Sequence, residues 1–144
     1  MFLEYIKTLQ GLVTLGQVVV GLICQLVIQF LWISDGLVLI FFIALNPFET
    51  IVYFLLFACT MASLFVMVME AGGTVLAETF GKTKVLIFHT LCLVLLIISI
   101  GIQTWNITHT YSSPQYYARF IIGDILLFIL ALSHVFLGVL ALMR

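Results

Sequence analysis

The third apolar segment of the chain, residues 85–104, reads VLIFHTLCLVLLIISIGIQT and contains no Asp, Glu, Lys or Arg. A helix rises about 1.5 Å per residue, so about 20 apolar residues cross the ~30 Å hydrocarbon core of a bilayer. Three other segments are also long enough, and the sequence predicts spans at about residues 11–33, 50–69, 85–104 and 118–143. We therefore expect an all-α integral membrane four-helix bundle, formed as one domain over residues 1–144.

The composition supports this expectation. Of the 144 residues, 65% are hydrophobic and only 8% are charged, whereas a soluble domain carries about 25% charged residues. The net charge of -1 provides no basic face, so nucleic acid is not predicted as a partner. Cys24, Cys59 and Cys92 all lie inside apolar runs, which predicts neither a disulfide framework nor a metal site.

The basic residues predict how the chain is oriented in the membrane. Lys7 precedes the first span, Lys82 and Lys84 lie between the second and third, and Arg144 ends the chain. Only Arg119 lies on the opposite side. Because positive residues are enriched in cytoplasmic loops, both termini are predicted to be cytoplasmic.

The connections between the spans carry two local signals. Residues Leu37–Leu45 (LVLIFFIAL) are apolar but too short to cross a bilayer, and turn-like sequences flank them. We expect this segment to lie at the outer interface or over the bundle, and its length leaves both helix and strand open. On the inner side, the pair Gly72-Gly73 predicts the end of a helix.

Each span has one face that is more polar or has smaller residues than the rest of its surface. These faces are predicted to meet inside the bundle, leaving Leu, Ile, Val and Phe toward lipid. Helix packing is the favoured role, because interhelical hydrogen bonds are common in membranes and worth only about 0.6 kcal/mol. A substrate path is the alternative. The candidate interior polar residues are Gln17, Gln25, Glu70, His89, Ser99, Asp124 and His134.

Asp124 and His134 are the residues of this set most suited to proton movement. Ten positions separate them, which is about 15 Å along a helix, so a direct relay between them is not expected. Asp124 could instead reach the interface or pair with Arg119 or a glutamine. Glu70 and His89 could form a hydrogen bond across the inner loop, or each could extend separately toward water.

Few other motifs suggest chemistry. Asn106-Ile107-Thr108 is an N-glycosylation sequon, although it lies so close to the third span that a modifying enzyme would reach it poorly. The sequence has no phosphate-binding glycine loop, no zinc-binding pair on one helix and no nucleophile beside a base. Neither an enzyme nor a cofactor is predicted.

The C-terminal part of the chain resembles a known family. Tyr116-Tyr117-Ala118-Arg119 leads into the fourth span, which ends with SHVFLGVL at residues 133–140. Gly72-Gly73 follows the second span and His89 comes early in the third. With four spans and no loop cysteines, this pattern resembles the MARVEL tetraspan family, in particular its myelin-and-lymphocyte and plasmolipin-like members. Residues Leu37–Leu45 are longer and more apolar than that subgroup leads us to expect.

The resemblance implies a non-enzymatic role in organising membrane domains, in vesicle trafficking or in membrane apposition, by analogy of fold. It implies membrane lipids as partners, together with other membrane proteins or further copies of the chain. The implied location is the plasma membrane or Golgi and endosomal vesicles. Two alternatives remain open, namely a small transporter or channel subunit and an accessory subunit of a larger membrane complex.

Overall fold

The computed structural model describes residues 2–33, 36–39, 47–110 and 114–143. The helical fold class is confirmed, and four of the helices are long and apolar enough to cross a membrane. The elements are α1 (Phe2–Ile6), α2 (Leu9–Gln29), β1 (Phe30–Ile33), β2 (Gly36–Leu39), α3 (Pro47–Ala71), α4 (Leu76–Phe80), α5 (Lys82–Thr110) and α6 (Pro114–Met143).

Local sequence accounts for several helix ends. Pro47 and Pro114 are the first residues of α3 and α6, where proline fits because the first turn needs no backbone donor. Helix α3 ends just before Gly73, whose φ is 93°, and the Thr74 N–H donates to the Met69 carbonyl oxygen at 3.0 Å. This is the Schellman arrangement that a glycine permits, so the predicted end of this helix is confirmed.

The first predicted span is corrected at its C-terminal end. Helix α2 ends at Gln29, and residues 30–33 form β1, which pairs antiparallel with β2 so that Phe30 lies opposite Leu39. The sequence Phe-Leu-Trp-Ile is rich in aromatic and branched residues, which favour a strand. The first part of the segment predicted at Leu37–Leu45 is thus a strand, and residues 40–46 lie outside the described residues.

The four long helices form a closed ring. Helix α2 packs against α3 and α6, and α5 packs against the same two helices. Neighbours are antiparallel: Gln17 of α2 bonds to Ser133 of α6, and Cys24, further along α2, reaches back to Gly123. The end of the bundle where α2 begins and α6 ends is called the terminal end here, and the end next to β1 and β2 is called the hairpin end.

Large apolar side chains lie on the outer surface of the bundle as well as in its centre. Four large side chains in its centre, one from each long helix, are completely buried: Ile28, Leu56, Leu96 and Leu127. The outer surface exposes 53% of Leu26, 60% of Phe54, 59% of Leu91 and 66% of Leu132. An apolar surface of this extent on all four helices fits lipid as its surroundings rather than water.

Helices α2 and α3 pack tightly against each other at a glycine. A Cβ atom placed on Gly21 would lie 2.4 Å from the Thr60 hydroxyl oxygen, whereas one placed on Gly16 of the same helix would meet nothing within 4 Å. Small residues at such positions let membrane helices pack backbone to backbone. Gly21 therefore fixes the distance between the two helices.

Candidate functional site

The polar residues of the bundle interior are the candidate site, and the first group lies at the terminal end. The Gln10 amide donates to the Glu70 carboxylate at 2.5 Å and thereby joins the start of α2 to the end of α3. One turn deeper, the Tyr5 hydroxyl donates to the Thr14 hydroxyl at 3.3 Å. These contacts tie α1, α2 and α3 together where the chain enters the bundle.

Two histidines meet below this group. The Nδ1 atoms of His89 on α5 and His134 on α6 lie 3.2 Å apart. Both side chains are buried. A hydrogen bond at this distance needs one Nδ1 to donate and the other to accept, so the two rings do not both carry a proton there. The pair joins the two helices that pack most extensively in the bundle.

A single glutamine connects three helices at the next level. The Gln17 amide nitrogen of α2 donates to the Ser133 hydroxyl of α6 at 2.9 Å, and the Ser63 hydroxyl of α3 donates to the Gln17 amide oxygen at 3.2 Å. Gln17 is 3% exposed. Both functional groups of its amide are thus satisfied inside the bundle.

The centre of the bundle is closed. The small void bordered by Gln17, Leu96 and His134 has no room for a water molecule. Cys59 lines this void, and all three cysteines are buried free thiols. Cys59 donates to the Cys92 carbonyl oxygen at 3.7 Å.

The hairpin end contains a different kind of polar interior. Gln29 and Gln103 are completely buried, and neither amide has a hydrogen-bond partner among the described residues. The Gln25 amide nitrogen is likewise without a partner there. An unpaired amide in an apolar environment costs free energy, so these three glutamines mark the least satisfied part of the bundle.

Three further contacts close the hairpin end. Glu49, almost fully buried at the start of α3, accepts a hydrogen bond from the Asn106 amide. The Thr104 hydroxyl donates to Asp124 at 2.9 Å. Arg119 donates to the Phe30 carbonyl oxygen at 2.5 Å and so anchors β1 to α6.

Several predicted contacts need correction. Glu70 accepts a hydrogen bond from Gln10, whereas His89 pairs with His134. Asp124 bonds to Thr104 instead of Arg119 or a glutamine, and it lies half-buried at the seam between α5 and α6.

The sequon residue is also placed differently from expectation. Asn106 lies inside helix α5, its side chain is 1% exposed, and its amide donates to Glu49. A glycan could attach only if this contact were lost, which argues against Asn106 as a modification site. Ser99, the remaining predicted interior residue, is buried and donates to the Leu95 carbonyl oxygen at 2.9 Å.

Sequence reasoning missed some of the interior. Glu49 lies in the turn-like sequence that follows Leu37–Leu45, yet it is buried in the first turn of helix α3. Gln10 lies before the predicted start of the first span, whereas Gln103 is buried on the inward face predicted for the third span. Among the described residues, no group of three His, Cys, Asp or Glu side chains could hold a metal ion.

Four apolar helices in a closed ring define the class of the protein: it is an integral, multi-pass helical membrane protein of the tetraspan type. No family model, curated protein or solved structure matches the chain. The class therefore rests on the fold, and membership of the MARVEL family stays a prediction.

Proposed function

We propose that the chain is a non-enzymatic tetraspan protein that organises membrane through lipid and helix contacts, as MARVEL-type proteins do in membrane domains, vesicle trafficking or apposition. The observation that carries the proposal is the closed centre of the bundle, where the void beside Gln17, Leu96 and His134 cannot hold water. A solute path needs a hydrated interior, whereas an organiser acts through its outer surface. That surface is apolar on all four long helices.

The proposal includes an orientation. Lys82 and Lys84 belong to the terminal end, since Lys82 lines one cavity there together with Gln10 and Ala141. Lys7 lies just before α2 at the same end, and Arg119 belongs to the hairpin end. By the positive-inside rule the terminal end faces the cytoplasm, in the plasma membrane or in Golgi and endosomal vesicles.

The native cysteines provide the test. Cys24, Cys59 and Cys92 are buried in the middle of the bundle, so a membrane-impermeant thiol reagent should leave them unmodified in proteoliposomes. Thr79→Cys supplies the matched positive control, because Thr79 is exposed at the terminal end. Labelling of the native thiols at the rate of the introduced one would show a hydrated interior and overturn the proposal.

A second measurement addresses organisation directly. Fluorescently labelled chains diluted into excess lipid should show energy transfer above the level expected for random mixing, with no solute flux over empty vesicles. Random mixing at every dilution, with no partner protein co-purifying, would contradict the organising role.

One observation favours a transporter as the second candidate. His89 lines both cavities at the terminal end, and its contact with His134 places a second ionisable group closer to the centre. A proton path built on these groups predicts a pH-driven flux that His134→Gln and Asp124→Asn abolish while the protein remains folded. The organising function predicts no such flux in the unmodified chain.

A further inference from the structure

A recess opens at the terminal end between α3, α4 and α5. It has a volume of about 200 Å³, and its walls are formed mainly by apolar side chains. Since a water molecule takes up ~30 Å³ in the liquid, the recess has room for about seven groups of that size, comparable to a stretch of acyl chain. The apolar walls are Phe65, Val66, Leu76, Phe80, Val85 and Phe88.

This recess faces the lipid side of the bundle. Phe65 on its rim is 60% exposed and Phe80 is 48% exposed. Phe65 lies on the apolar outer surface of α3, so lipid tails can reach the opening from that side. The short helix α4 covers the recess at the level where α3 ends and α5 begins, which is the level of the lipid headgroups.

Charged residues border the recess in balanced number. Glu70 and Lys84 line it, and an adjoining cavity of about 190 Å³ shares Glu70 and is also lined by Glu78 and Lys82. The two basic side chains suit a phosphate, because ammonium groups form charge-assisted hydrogen bonds with it. The two carboxylates suit a positively charged amine. An anionic lipid would satisfy the lysines alone and would lie beside Glu70 and Glu78.

We propose that this recess binds one zwitterionic phospholipid with a primary ammonium group, its phosphate at Lys84, its ammonium at Glu70 and an acyl chain between Phe65 and Phe88. The inference rests on the proposed membrane-organising function, since it names the lipid class on which that function would act. The headgroup supplies the selectivity, because bilayer tails are as apolar as the walls of the recess.

The test compares phosphatidylethanolamine with phosphatidylglycerol of identical acyl chains, each added to the purified full chain and measured by native mass spectrometry. One copy of phosphatidylethanolamine should bind about fivefold more tightly. Lys84→Ala and Glu70→Gln should each weaken that binding about two- to fivefold, the size expected for a partly exposed ion pair. Glu70→Gln keeps an amide oxygen to accept from Gln10, so the fold is retained.

Matched variants separate the recess from general lipid contact. Phe65→Ala should weaken binding, whereas Phe54→Ala should not, because Phe54 is equally exposed on the same helix but does not line the recess. Lys7→Ala, at an exposed lysine of the same end, is the control for Lys84→Ala. Preference for phosphatidylglycerol, or equal binding by the recess and control variants, would overturn the proposal.

A failure of the lipid-binding proposal can be distinguished from a failure of the proposed membrane-organising function. Thiol protection and energy transfer are measured on the same preparations. If the native thiols are protected and the chains cluster but phosphatidylethanolamine is not preferred, only the lipid site is refuted. If the native cysteines are labelled, the organising function is refuted whatever lipid is bound.

Discussion

The two halves of the bundle interior satisfy their polar groups to very different degrees. Toward the terminal end, the Gln17 amide has hydrogen-bond partners on both sides, and His89 and His134 pair with each other. Toward the hairpin end, Gln29 and Gln103 are equally buried but have no hydrogen-bond partner among the described residues. Burial of a glutamine side chain therefore has opposite energetic consequences at the two ends.

The physical reason is that a bilayer offers no water to replace a missing partner. A satisfied group locks neighbouring helices in register, whereas an unsatisfied one costs about 1–3 kcal/mol. We infer that the satisfied polar groups of the terminal half hold the bundle together and that the unpartnered glutamines of the hairpin half lower its stability. Substitutions in each half test this difference, and the common readout is the free energy of unfolding in bicelles, measured by denaturant titration.

The largest effect is expected at the histidine pair. His134→Ala should lower the free energy of unfolding by about 2–5 kcal/mol, because it leaves a cavity and deprives the His89 ring of its partner. His109→Ala is the control, since His109 is exposed on α5 and exposed substitutions usually change stability by about 0.5 kcal/mol or less. Equal costs for the two variants would show that the pair does not hold the terminal half together.

The next largest effect is expected where α2 meets α3. Gly21→Ala places a methyl group against Thr60, and such overpacking costs about 1–3 kcal/mol. Gly16→Ala has open space around it and should be neutral or stabilising by up to about 1 kcal/mol, the helix-propensity difference. If both variants behaved alike, the close approach at Gly21 would not be a constraint on packing.

The spans and their inward faces could be predicted from the sequence, because apolar length and helical periodicity are local properties. The hydrogen-bond partners of the interior residues could not. That His89 meets His134 depends on the axial register of α5 against α6, which periodicity leaves undetermined. Strand β1 was missed for a related reason: Phe30–Ile33 continues the apolar run of α2 without a break, so composition alone does not mark where the helix ends.

In the hairpin half, replacing an unpartnered amide is expected to increase stability. Gln103→Leu replaces an unpartnered amide with an apolar side chain of similar size, and it should raise the free energy of unfolding by about 1–2 kcal/mol by removing the cost of burying that amide. Ser99→Ala on the same helix serves as a control, since the Ser99 hydroxyl already has a backbone acceptor and its loss should change little. A destabilising Gln103→Leu would mean that this amide has a partner in the membrane.

The smallest effect tests the same substitution in the other half. Gln17→Leu removes the link between Ser63 and Ser133, yet interhelical hydrogen bonds in membranes average only about 0.6 kcal/mol, with a maximum near 1.7. The expected loss is correspondingly small, because Ser133 still donates to the Leu130 carbonyl oxygen at 2.6 Å. The decisive result is the sign of the change in the free energy of unfolding: Gln17→Leu should destabilise the protein, whereas Gln103→Leu should stabilise it. If both variants moved in the same direction, burial alone would determine the cost of a glutamine, and the difference between the two halves would have no energetic meaning.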